Sequence, residues 1–113
     1  MKKSANRPFF PLLKELKALS DESRFLIVDL LLRRDYCVKA LAREIKISEP
    51  AVSQHLKILR DAGLVYGTKK GCYIHYKVNR GVLTLLSERI QSWSEQTREE
   101  TSQQNHAKDR ACY

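Results

Sequence analysis

The chain has 113 residues, with 21 Lys and Arg against 13 Asp and Glu, which gives a formal net charge of +8. This length favours one domain and argues against a two-domain cofactor enzyme. The charge indicates an anionic partner, with nucleic acid as the first candidate and a membrane surface as the second. The longest apolar stretch, at 25–32, is interrupted by Asp29 and is far shorter than the roughly 18 residues of a membrane span.

The cysteine content and the N-terminus favour a cytoplasmic protein. The three cysteines are an odd set at wide spacing, which gives no disulfide framework; they are Cys37, Cys72 and Cys112. The basic residues near the N-terminus are not followed by the apolar segment of a signal peptide. We therefore expect a cytoplasmic protein with no membrane segment.

Composition divides the chain into three parts. Residues 1–8 are basic and end in proline, so we expect a flexible basic arm. Residues 98–113 are polar with almost nothing apolar, so we expect a disordered polar tail. The domain itself is expected over residues 9–97.

The first half of the domain has the apolar periodicity of helices. Leucines at helical spacing predict a first helix at 9–19. Asp21 is a good N-cap, and the run 24–32 is apolar all round, which predicts a buried central helix. A short β-prone link at 36–38 precedes a brief predicted helix at 39–45.

The segment 48–62 is the most informative part of the sequence. Ser48 suits the N-cap of a helix and Gly63 suits the position that follows its last turn. Apolar side chains recur on one side of this helix and polar ones on another. The apolar stripe is Val52, Leu56 and Leu59, and the polar stripe is Glu49, Ser53, Lys57 and Arg60, flanked by Gln54.

A β-hairpin and a last helix follow. Residues 64–66 predict a strand, 67–71 a turn with Lys69 and Lys70 at its tip, and 73–78 the returning strand. The apolar pattern from about residue 80 to about residue 95 predicts the last helix.

This order of elements predicts a mainly α fold with a small β-hairpin wing, a winged helix-turn-helix. The second helix of such a unit fits the DNA major groove, which is about 12 Å wide, and cations around it meet phosphates. His55 lies near the apolar stripe and could face either the DNA or the core. The candidate DNA-contacting residues are Arg43, Ser48, Glu49, Ser53, Gln54, His55, Lys57, Arg60, Lys69 and Lys70.

The sequence resembles the ArsR/SmtB family of winged-helix repressors over roughly residues 12–95. The resemblance rests on LKALSDESRFLIVDLL, YCVKALAREIKISEPAVSQHLKILRDAGLV and GTKKGCYIHYKV, above all on the pattern from Ser48 to Val65. It implies a homodimer formed by the first and last helices, binding to a double-stranded operator, and release by an inducer. The leucine-rich faces at 12–19 and 82–93 are compatible with that dimer or with an intramolecular core.

The resemblance leaves the inducer open. Family members that sense arsenite or soft metals often carry Cys-Val-Cys where this chain has Cys37, Val38 and Lys39. The positions of the family's zinc site between the last helices hold no usual ligand here; they are Arg80, Val82, Trp93 and Gln96. What remains is Cys37 with Cys112, for As(III), another thiophilic ion or oxidation, while Cys72 is expected to lie too far away. Alternatively, the thiols are structural and there is no metal site.

Two further classes stay open beside a DNA-binding regulator. A winged-helix protein–protein interaction module would have the same fold, but the cations on the helix and wing argue against it. A peripheral membrane protein would need apolar faces that the core or a dimer already uses. No catalytic motif is present in the sequence, so we do not expect an enzyme.

Overall fold

The computed structural model describes residues 10–98, so the predicted arm, most of the predicted tail and Cys112 lie outside the described residues. Within that range the chain forms five helices and one antiparallel sheet with the strand order β1-β3-β2. The elements are α1 (Phe10–Leu19), α2 (Glu22–Arg33), β1 (Tyr36–Cys37), α3 (Val38–Ile45), α4 (Glu49–Asp61), β2 (Val65–Lys70), β3 (Tyr73–Val78) and α5 (Arg80–Ser94).

Helix α2 packs on the core with only one side. Ile27, Val28 and Leu31 are buried, but Phe25 is 61% exposed and Leu26 is 41% exposed. The prediction of a helix buried all round is therefore wrong. A domain of this size has too few elements to surround a helix on every side, so part of the apolar surface of α2 remains in contact with solvent.

A tight turn sets α4 against α3. Lys46 follows the last residue of α3; its backbone is left-handed with φ 60°, and its N–H donates to the carbonyl of Ala42. The N–H of Ile47 also donates to that carbonyl, at 3.2 Å. Ser48 then caps α4 as predicted, because its hydroxyl oxygen accepts a hydrogen bond from the N–H of Ala51.

The predicted apolar stripe of α4 is the part of the helix that anchors it. Val52 and Leu59 are 0% exposed and Leu56 is 1% exposed. These side chains belong to one core cluster with residues of α2, α3 and the sheet. Because this edge is completely enclosed, the opposite face of α4 is held outward.

The predicted hairpin exists, but its turn lies further along the chain. Lys69 pairs with Ile74 and Lys70 pairs with Tyr73, so both lysines belong to β2 and not to a turn. The connection has two residues and begins at Gly71, whose φ is +61°. A two-residue hairpin turn with glycine in its first position matches the right-handed twist of the strands.

Gly67 is not part of the turn, although the sequence predicts a turn at 67–71. It lies inside β2 opposite Tyr76. A Cβ at this position would come within 2.8 Å of Ile74 Cγ2 and 3.2 Å of a Tyr76 ring atom. This glycine therefore permits close packing across the hairpin, which is a second reason for glycine in a strand besides a turn.

Candidate nucleic-acid interface

Helix α4 presents a row of polar side chains on the face opposite its buried stripe. The exposed members of the row are Glu49, Ser53, Gln54, Lys57 and Arg60. Their hydroxyl, amide and charged groups can donate or accept hydrogen bonds at base edges and phosphates. The helix that carries them is fixed at its start by the Ser48 cap and along its length by the core.

Lys57 on this row is only weakly held by a neighbouring side chain. Lys57 Nζ lies 3.1 Å from Asp61 Oδ2, and both side chains are more than half exposed. A surface ion pair of this kind contributes little to stability. The Lys57 ammonium can therefore exchange Asp61 for another anion at small cost.

The hairpin adds cations on both of its faces. Lys69 and Lys70 are consecutive residues at the end of β2, and both are exposed. Consecutive side chains of a strand point to opposite faces of the sheet. On α3, Arg43 is also exposed in the last turn.

The structure places His55 in a polar network between helices and not on the exposed row. Arg24 Nη1 is 3.3 Å from His55 Nδ1, and Asp21 Oδ2 is 3.9 Å from the same nitrogen. Arg24 Nε donates to the carbonyl of Ala18 at 2.6 Å. The His55 side chain is 22% exposed. The sequence allows His55 to face either the DNA or the core. These contacts favour the orientation toward the protein, so we leave His55 out of the proposed DNA interface.

Asp21 completes this network as the N-cap of α2. Its Oδ2 accepts a hydrogen bond from the backbone N–H of Arg24 at 3.1 Å, which holds the pKa of the carboxyl below its ordinary value. A lowered pKa means that the carboxylate stabilises the folded protein above the ordinary aspartate pKa. That contribution is lost as the pH falls through the lowered value.

Comparison with known proteins identifies the family. Residues 21–66 match the family described as bacterial regulatory protein, arsR family. The transcriptional repressor SdpR of Bacillus subtilis (strain 168) is 40% identical over 67 residues, which cover 59% of this chain and 74% of SdpR. The arsenical resistance operon repressor of Escherichia coli (strain K12) is 37% identical over 79 residues, which cover 69% of this chain and 61% of that repressor.

The chain belongs to the arsR family. This arsR-family protein is a DNA-binding transcriptional regulator and not an enzyme. A solved structure supports the fold: the homodimeric winged helix-turn-helix DNA-binding domain of a possible ArsR-family regulator from Mycobacterium bovis. Its TM-score is 0.66 at 25% identity, over 83% of this chain and 86% of that one. Among residues 10–98, no helix has the length and apolar character needed to cross a membrane.

The two described thiols of this arsR-family regulator border one cavity of about 320 Å³ beside the first turn of α4. Cys37 lies opposite His75 in the sheet, and Cys72 precedes His75 by three residues, which is about 10 Å of extended strand. That spacing does not favour one ion held by both sulfurs. In the described part of the chain, no three His, Cys, Asp or Glu side chains are grouped to hold a metal.

Arg24 belongs to this polar network, although no signal in the sequence points to it. It lies three positions after the Asp21 cap, but its partner His55 is 31 residues away along the chain. Helical spacing gives no signal for such a contact, because the two residues meet only through the packing of α2 on α4.

Proposed function

We propose that this regulator is a homodimeric repressor that binds a specific operator and is released from it by an inducer. The observation that carries the proposal is the exposed polar row of α4, whose opposite edge is enclosed in the core. The relatives named above as repressors support the direction of regulation. Since operator DNA is its partner, we place its action in the cytoplasm.

The proposed contacts divide into base readout and phosphate contacts. Ser53 and Gln54 lie on the exposed row of α4 and would face base edges in the major groove. The phosphate contacts would come from cations around that row. The proposed interface residues are Arg43, Ser48, Glu49, Ser53, Gln54, Lys57, Arg60, Lys69 and Lys70.

The proposed dimer uses the outer faces of α1 and α5. Leu13 on α1 is 52% exposed, and Leu85 and Trp93 on α5 are 49% and 56% exposed. The two helices pack on each other around an apolar groove that includes Leu12 and Leu86. Large apolar side chains left in water on adjacent helices favour a protein contact. The M. bovis domain is described as homodimeric, which supports a dimer for this chain.

Operator binding is tested by fluorescence anisotropy with DNA from upstream of the regulated gene, at several salt concentrations. We expect sequence preference and a steep fall in affinity with salt, because each phosphate contact contributes close to one unit of slope. Lys57→Ala should lower that slope by about 1. Lys17→Ala, an exposed cation on α1, is the matched control and should leave the slope unchanged. Absence of sequence preference, or a slope near zero, would rule out operator binding.

We further propose that the inducer acts at Cys37, as As(III), another thiophilic ion or an oxidant. The Escherichia coli relative named as an arsenical resistance operon repressor supports this chemistry, and soft ions prefer thiolates. Cys37 is half-buried at the N-cap of α3 and borders a cavity that also meets Glu49 of α4. A group bound at Cys37 would therefore lie against the proposed DNA-reading helix. Its second thiol would be Cys112, in this chain or its partner.

The inducer proposal predicts that Cys37→Ser binds operator DNA with unchanged affinity but is no longer released by arsenite or peroxide. Cys112→Ser should behave in the same way. Cys72→Ser is the matched control and should still respond. The measurement is anisotropy of a preformed DNA complex titrated with each compound. A full response from Cys37→Ser would show that Cys37 is not the sensor.

A further inference from the structure

A polar cavity lies at the base of the hairpin, away from the two described thiols. It has a volume of about 470 Å³ and opens between the end of α2, the lower parts of β2 and β3, and the start of α5. Four basic side chains and one carboxylate line it: Arg33, Arg34, Lys77, Arg80 and Asp35. The cavity therefore concentrates positive charge in one concave site.

Three of the basic side chains of this cavity, which we call the basal cavity, make contacts that orient them. Arg80 Nη2 donates to the carbonyl of Leu32 at 2.7 Å, which uses one of the five N–H donors of its guanidinium. Lys77 Nζ lies 3.5 Å from Asp35 Oδ2, and the Arg34 guanidinium lies over the Tyr36 ring, 4.7 Å from its centroid. Pre-positioned donors lose less conformational entropy on binding than mobile surface cations do.

The start of α5 adds to the positive potential of the basal cavity. The Asn79 N-cap side chain makes no capping hydrogen bond, the first turn has no acidic residue, and Arg80 is the first residue of the helix. A cation at this end opposes the helix dipole, whose positive end also points here. By contrast, α2 and α4 begin with a side-chain cap and a glutamate. An anion in the cavity would offset both the charge of Arg80 and the positive end of the α5 dipole.

The basal cavity is separate from the proposed DNA interface. Its hairpin residues, Tyr66 and Lys77, face each other in the sheet, whereas the pair next to the turn is Lys70 and Tyr73. The two pairs are four positions apart along the strand, which is about 13 Å. No residue of α4 lines the cavity.

We propose that the basal cavity binds a small multivalent oxyanion, such as a phosphorylated or polycarboxylate metabolite. Guanidinium groups recognise phosphate and carboxylate oxygens through paired N–H donors, and a cavity this size admits a compact ligand. The site joins the end of α2 to the hairpin and the start of α5, and neither of the two described thiols lines it.

The test is an NMR titration of the full ¹⁵N-labelled chain with sodium pyrophosphate, and separately with citrate, at constant ionic strength. We expect saturable shifts of the amides at 31–35 and 77–80. Arg80→Gln and Lys77→Gln should each weaken binding by about 10-fold, the usual effect of losing one hydrogen bond to a charged group. Lys17→Gln removes a cation outside the cavity and should bind as the wild type does.

Three results would overturn the proposal. One is the absence of saturable shifts, or shifts that sodium chloride reproduces. Another is equal affinity for the wild type, Arg80→Gln and Lys77→Gln, which would show adventitious binding. The last separates a free oxyanion from a DNA phosphate: if Arg80→Gln weakens operator binding and lowers its salt slope by about 1, the cavity contacts the DNA backbone instead.

Discussion

Replacing Leu59 by alanine is expected to lower the free energy of unfolding by about 2–5 kcal/mol. Leu59 is 0% exposed and lies in the core cluster beneath α4. The lost contacts and the cavity left behind both contribute, because α4 is packed against several elements and cannot collapse into the space. Urea denaturation followed by circular dichroism measures the loss.

Ile58→Ala is the matched control for this experiment. Ile58 is adjacent on the same helix and has the same number of side-chain carbons, but it is 38% exposed. Its removal opens no enclosed cavity, so we expect a clearly smaller loss than for Leu59→Ala. Equal losses from the two variants would contradict the division of α4 into an enclosed edge and an exposed face, on which the proposed DNA interface depends.

The enclosed edge and the exposed face of α4 could be predicted from the sequence because the signals for them are local. The spacing of Val52, Leu56 and Leu59, the cap at Ser48 and the glycine at 63 each act within one helix and its ends. Helical periodicity and capping depend on neighbouring residues only, so one sequence suffices to predict them. The winged helix-turn-helix fold follows from the order of such local signals and is confirmed by the comparison with solved structures.

The errors arose where distant residues decide the outcome. The glycines at 67 and 71 predict a turn around Lys69 and Lys70, but cross-strand pairing extends the hairpin to Gly71. The apolar composition of α2 predicts that Phe25 and Leu26 are buried, yet both are exposed, because burial depends on which elements cover a helix. The same holds for the pairing of β1 with β3, which joins residues about 40 positions apart.

The contact between Arg24 and His55 is another such distant interaction, and it leads to the second large effect that we expect. Arg24→Ala should lower the free energy of unfolding by about 1.5–3 kcal/mol, the range for hydrogen bonds that involve charged groups. The variant loses the bond to the Ala18 carbonyl and the contact with His55. It keeps the backbone N–H that Asp21 caps, so the start of α2 is preserved.

Arg33→Ala is the matched control, because it removes the same residue type from the other end of α2. Arg33 is 68% exposed and pairs with Asp29 on the surface at 3.2 Å. An exposed ion pair is worth at most about 1 kcal/mol, so the control should be close to the wild type in stability. If both variants lose the same stability, the network around His55 contributes no more than a surface contact.

Measurements of operator affinity and of its salt dependence show whether Arg24 positions α4 or contacts a DNA phosphate. Its side chain joins the end of α1 to the middle of α4, so its loss should let α4 shift relative to the helix proposed for the dimer. We expect Arg24→Ala to weaken operator binding while the salt slope stays at the wild-type value, since no phosphate contact is removed. Arg24→Lys keeps the charge but cannot span both partners, so its affinity should be intermediate. A slope lowered by about 1 in Arg24→Ala would instead place the guanidinium on the DNA backbone.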